Sequence, residues 1–181
     1  MSHALQVFVS STCHELRDLR AAIRAWLVDL GMQPVMSDDP GFQHADGMPP
    51  YAACLRALED CPLVIVVIDR RYGQSFEDWG PYQDYKGYAP THAEVQHAIK
   101  LGKRAFIYVH QDVWNFYEVW RQNPAAISDC SIQGLDVKTL LMFQDLKHMQ
   151  PAPWIEKFEN VSDVIKSLRL EFVNLSCCRF G

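Results

Sequence analysis

Three short segments carry residue types that could do chemistry together. Ser10-Ser11-Thr12 closes one apolar run, Asp69-Arg-Arg-Tyr-Gly73 follows another, and Thr91-His-Ala-Glu94 opens a helical pattern. Hydroxyls and unpaired backbone N–H groups at a helix start attract phosphate. Arg71 adds a guanidinium, Tyr72 an aromatic face and Glu94 a carboxylate, an inventory that suits a nucleotide better than a metal. Asp38 follows the second strand, where dinucleotide-binding sheets place an acid on the ribose hydroxyls, although no Gly-x-Gly-x-x-Gly occurs. Each feature has a plainer reading beside it. Ser and Thr are preferred helix caps, and Arg71 fits a surface ion pair. Thr91-x-x-Glu94 is itself a capping box, in which Glu94 would return to the Thr91 N–H.

Other chemistries find less support. The seven histidines show no metal-ligand spacing, and none of the six cysteines forms a Cys-x-x-Cys pair. Most of the cysteines sit among apolar neighbours, which fits a reduced cytoplasmic protein with no metal site. A net charge of −5 without a Lys/Arg stripe argues against nucleic acid as the main partner. The first residues lack a basic and apolar leader, and no run approaches the ~20 apolar residues of a membrane span.

The elements that must position these residues alternate. Val7-Phe-Val9 reads as a first strand. Thr12-x-x-Glu15 is a capping box for a helix bearing Leu16, Leu19, Ile23, Trp26, Leu27 and Leu30 on one face, with Gly31 as its stop. Gln33 to Met36 makes a brief strand and Tyr51 to Asp60 a second helix. Leu63 to Ile68 is apolar throughout, as a central parallel strand requires. The connection from Asp69 to Ala89 is long and holds Tyr72, Phe76, Trp79, Tyr82, Tyr85 and Tyr88. It is either a lid over a planar ligand or a loop held down by its own aromatics. The Thr91 helix and the strand Ala105 to Val109 follow. This order predicts a doubly wound, mostly parallel α/β sheet of four or five strands. Beyond it come helices at 113–121 and 137–148, an edge strand at 154–158, and a last helix capped by Asn160.

Several of these segments together resemble a known family. Val7-Phe-Val-Ser-Ser-Thr12 with Leu16 and Arg20, Cys54-Leu-Arg-Ala-Leu-Glu-Asp-Cys61, Ile68-Asp-Arg-Arg-Tyr-Gly73 and Thr91-His-Ala-Glu94 with Gly102-Lys103 look like TIR-like proteins of the stand-alone bacterial type. The spacing of Thr91, Glu94, Ala98, Gly102 and Lys103 is also similar to that of nucleoside deoxyribosyltransferases. The resemblance implies one flavodoxin-like or TIR-like domain over 1–181, with a core at 5–110 and a C-terminal helical extension at 111–181. It implies Glu94 as the catalytic residue on an N-glycosidic bond; the ligand crevice beyond the strand ends of such a sheet would set Ser10, Ser11, Thr12, Asp38, Arg71, Tyr72 and Thr91 around the substrate. NAD would be the substrate and no cofactor would be permanently bound. Self-association, and an effector answering a nucleotide product in bacterial anti-phage defence, would follow. Two other expectations stand beside this one: a non-catalytic interaction module, and a nucleoside N-ribosyl or deoxyribosyl transferase.

Overall fold

The computed structural model describes residues 4–11, 16–39, 42, 47–127, 134–150 and 152–177, with side chains in the last helix described to residue 174. Its strands are β1 (Gln6–Ser11), β2 (Gln33–Val35), β3 (Leu63–Ile68), β4 (Arg104–His110) and β5 (Ile155–Phe158). Its helices are α1 (Arg17–Asp29), α2 (Pro50–Glu59), α3 (Pro90–Lys100), α4 (Gln111–Trp120), α5 (Val137–His148) and α6 (Val161–Cys177). The five strands form one sheet in the order β2-β1-β3-β4-β5, every pair parallel. This is the flavodoxin-like order, in which the winding direction reverses between β1 and β3. Register aligns Ser11 with Val67 and Ile68 with Val109, so the carboxyl ends of β1, β3 and β4 form one edge.

Alternation along the strands divides the core into two layers. Phe8, Val64, Val66, Ile68, Ile107 and Val109 pack under α2, α3, α4 and α5. Val7, Val9, Ile65, Val67, Phe106 and Tyr108 pack under α1 and α6. All six residues of β3 are buried, as their unbroken apolar run requires. Residues beyond 110 belong to the same layers, because β5 extends the sheet and Phe172 of α6 meets Trp26 and Phe106.

Helix ends follow local rules in several places. Gly31 lies at φ +72, where Gly31 N–H reaches Val28 O and Met32 N–H reaches Leu27 O, closing α1 in a Schellman turn. Asn160 Oδ1 accepts from the N–H groups of Ser162 and Asp163, the cap its position predicts. The Thr12–Glu15 capping box lies outside the described residues; α1 begins at Arg17, behind Leu16 without a side-chain cap. Two other helices start one or two residues before their predicted positions. Pro50 opens α2, since a proline at the first helical position gives up an N–H that had no partner. His110 caps α4 through its ring Nδ1, which accepts from Asp112 N–H, so that helix begins at Gln111.

The long aromatic connection is held down by its own rings. Trp79 is fully buried and packs with Tyr85, Ala52, Leu55 and Ala93, between α2 and α3. Phe76 stacks on Tyr51 at 4.0 Å. Tyr82 donates to Glu59 at 2.9 Å, and Tyr85 meets His97 at 3.0 Å. A short 3-10 turn at Gln83–Tyr85 is its one regular element.

Candidate functional site

Strand alternation sends two adjacent serines to opposite faces. Ser10 shares its face with Phe8 and points at α3, whereas Ser11 shares its face with Val9 and points at α1. Both are buried. Ser10 Oγ donates to Glu94 Oε2 at 2.5 Å, and Ser11 Oγ accepts from Arg20 Nη1 at 2.8 Å.

Glu94 is not a cap. The N-cap of α3 is Ala89, without a side-chain hydrogen bond, and Pro90 is its first residue. Pro90 therefore moves the helix start back, placing Thr91 at the second helical position and Glu94 in the second turn. That corrects the capping box read from spacing: the two residues the motif needs are both inside the helix. The side chain instead crosses to β1 at the point where the sheet reverses its winding. Only 5% of Glu94 is exposed. Burial pushes its pKa above the usual carboxylate value. The Ser10 hydroxyl, the Arg20 charge and the Cys54 thiol of α2 each pull it back down.

Arg20 is the buried cation of this region, 3% exposed on α1. Its Nε donates to Asp38 Oδ2 at 3.3 Å and its Nη2 to Asp38 Oδ1. One turn later Arg24 pairs with Asp39 and donates to Met36 Sδ. The guanidinium beside Asp38 holds that carboxyl below its usual value, against partial burial. Asp38 is thus engaged by α1 through both oxygens, with about half of its side chain exposed. Arg20 entered the sequence reading only as part of a motif. It lies four residues after Leu16 and three before Ile23, an arginine within the apolar stripe of an amphipathic helix, and that spacing was the signal.

Tyr72 anchors the start of α3. Its hydroxyl accepts from Ala89 N–H at 3.4 Å and meets His92 Nδ1 at 2.7 Å. His92, which follows the buried Thr91, stacks on Tyr88 with ring centroids 4.2 Å apart. Burial lowers its pKa to about 4, so it is neutral at physiological pH. Arg71 is exposed, outside the buried pair. Thr12 lies outside the described residues. At the ends of β3 and β4, Asp69 Oδ1 is buried without a hydrogen-bond partner, 4.0 Å from His110 Nδ1.

The structure therefore brings Ser10, Glu94 and Cys54 together, and joins Ser11 to Asp38 through Arg20. Chemically this is a carboxylate in a low-dielectric setting, with a hydroxyl donor and a fixed cation that favour its ionised form. Among the described residues no group of three or more His, Cys, Asp or Glu side chains is placed to hold a metal. None of their helices is long and apolar enough to cross a membrane.

No curated protein matches the chain. A family model described as a domain of unknown function (DUF4062) matches residues 6–172, a span that includes all five strands, Ser10, Arg20 and Glu94. The match covers most of the 181 residues, and the chain belongs to that family.

Proposed function

We propose that this protein is a TIR-like NAD nucleosidase or cyclase that breaks the nicotinamide–ribose bond with Glu94 as its catalytic carboxylate. The observation that carries the reading is the Ser10–Glu94 hydrogen bond: a buried glutamate reaches from α3 to the end of β1, at the switch in strand order where such sheets bind ligands. The resemblance of the Ser10-Ser11, Arg-Arg-Tyr-Gly and Thr-x-x-Glu segments to TIR-like proteins supports the choice of substrate.

In this chemistry the bond between C1′ and the pyridinium nitrogen breaks and its electron pair leaves with nicotinamide. The departing base is neutral, so no general acid is required. The ribosyl group passes through an oxocarbenium-like transition state, as in glycoside hydrolysis. A carboxylate beside C1′ is worth most there, because its buried setting screens it little and the charge develops next to it. Water then captures C1′ and releases a proton, giving ADP-ribose, or an adenine nitrogen captures it, giving a cyclic product. Ser10 keeps the Glu94 carboxylate oriented and favours its charged form.

The same reading makes the protein cytoplasmic, self-associating and a source of a nucleotide signal to an effector in anti-phage defence. Exposed Val28 on α1, Leu30 at its C-cap, and Leu170 and Val173 on α6 favour self-association. They also suit a non-catalytic interaction module, which is the second reading. The test is mass spectrometry of products after incubation with NAD, for the wild type and Glu94→Gln. Nicotinamide release by the wild type and its loss in a folded Glu94→Gln support the proposal. Equal release in both removes Glu94 from the mechanism, and no turnover of NAD in either favours the interaction module. Turnover of nucleosides in place of NAD favours the transferase.

A further inference from the structure

We propose that Arg20 is a positioning residue for Glu94, a fixed positive charge set behind the Ser10–Glu94 pair and held there by Asp38. The proposal rests on the catalytic reading of Glu94 for its purpose, but its geometry stands alone. Arg20 and Glu94 grip consecutive residues of β1 from opposite faces: Arg20 donates to Ser11 Oγ at 2.8 Å, and Ser10 Oγ donates to Glu94 at 2.5 Å. Any slip of the end of β1 would break both contacts. The guanidinium is also fixed from its far side, since Asp38 takes two of its donors. A two-pronged carboxylate partner holds a planar guanidinium in one orientation, which a lysine ammonium in the same place would not keep.

The position of Arg20 has a cost that asks for a reason. An arginine that is 3% exposed loses most of its hydration, and an apolar side chain in the α1 stripe would pack there without that penalty. Asp38 alone does not supply the reason, because it is about half exposed and could pair with a surface cation. Among the described residues, the groups that pull the Glu94 carboxyl toward its ionised form are the Ser10 hydroxyl from β1 and the Cys54 thiol from α2, on its own side of the sheet, and the Arg20 charge from α1, behind the strand. Of these only Arg20 carries charge. Burial favours the neutral acid, and a neutral acid cannot stabilise an oxocarbenium ion. Arg20 opposes burial from a place where it does not meet the substrate's positive ring, behind the strand.

Asp38 and Asp39 extend the device to the loop after β2. Arg20 and Arg24, one helical turn apart, hold the two neighbouring aspartates. The loop that leaves β2 and the ionisation of Glu94 thus share one guanidinium.

The experiment reads Glu94 directly. The protein is labelled with 13C at glutamate side-chain carboxyls, Glu94 is assigned by its absence in Glu94→Gln, and its titration is followed by NMR. Arg20→Gln and Arg20→Met remove the charge, one retaining a donor for Ser11 and one apolar, so that the test stands when only one of them folds. Arg20→Lys retains the charge and loses the fork. The expected result is a Glu94 midpoint moved to higher pH in the neutral variants and close to wild type in Arg20→Lys. Nicotinamide release should fall about tenfold or more at pH 6 in the neutral variants and recover partly by pH 8. A Glu94 titration in a folded neutral variant that superimposes on wild type overturns the proposal. A moved midpoint in a protein that never releases nicotinamide upholds the positioning role and refutes only the choice of NAD as substrate.

Discussion

Replacing Ser10 by alanine removes one oxygen from a residue that is 1% exposed. The cavity left is smaller than a methyl group, so the lost packing is minor beside the lost hydrogen bond. That bond ran at 2.5 Å to a carboxylate that is itself buried. Hydrogen bonds to charged groups contribute about 1.5–3 kcal/mol. For a chain of this length that corresponds to roughly 3–12 °C in Tm. The cost should depend on pH, and its sign follows from Glu94. Burial raises the folded-state pKa of Glu94, and the Ser10 hydroxyl opposes the rise. Without Ser10 the folded pKa climbs further. A carboxyl with a raised folded pKa contributes stability that is fully present below its unfolded value of about 4.5 and is lost as pH rises through the folded value. Ser10→Ala should therefore be strongly destabilising at pH 8 and much less so near pH 5. Urea unfolding at a series of pH values measures this, taken as the difference from wild type so that other titrations cancel. The double variant closes the cycle: in a Glu94→Gln background Ser10→Ala should cost less than about 1 kcal/mol. A cost that is the same at pH 5 and pH 8, or one that adds fully to Glu94→Gln, would refute the argument.

Further outcomes follow from the same structure. Glu94→Gln should raise Tm at pH 8, where the charged form of Glu94 is costly to bury, and the gain should shrink toward pH 5; at the same time nicotinamide release should fall by about 10²-fold or more. Scanning calorimetry and product assays on one preparation check both. His92, with a usual value of 6.5 lowered to about 4 by burial, must lose stability as pH falls through that window, because the unfolded chain takes up the proton first. The expected loss is up to about 3 kcal/mol, and His92→Gln should flatten the wild-type stability profile between pH 6.5 and 4. Trp79→Ala should cost about 3–5 kcal/mol and open the aromatic connection to limited proteolysis, since Trp79 is its fully buried anchor. Unchanged cleavage there would mean that the other rings suffice.

Much of the architecture was legible because it is local. Six apolar residues in a row at 63–68 call for a strand covered on both faces, and β3 is central. Gly31 and Asn160 mark helix ends through backbone rules that involve only a few neighbours. The alternation of strands and helices constrains crossovers to one hand, which leads to the parallel sheet. The capping box at Thr91 failed for an equally local reason: Pro90 is a better first residue, and it moved the helix start.

The candidate site was not legible in that way. Ser10 and Glu94 lie 84 positions apart, and no periodicity relates them. Their meeting depends on β1 and β3 pairing in one register and on α3 lying over the face that Ser10 happens to share with Phe8. A shift of one residue in that register would have turned Ser11 toward Glu94 and Ser10 toward Arg20. Arg20 shows the same limit from the other side. Its place in the apolar stripe of α1 was visible in the sequence, while its partners Ser11 and Asp38 come from the end of β1 and from the loop after β2. The sequence by itself determined the strands, the helices and most of their ends, because hydrophobic period and backbone sterics act over a few residues. Only the tertiary structure decided that a glutamate with the spacing of a cap is a buried carboxylate at the sheet's switch point, because burial and charge partners are properties of the packed chain.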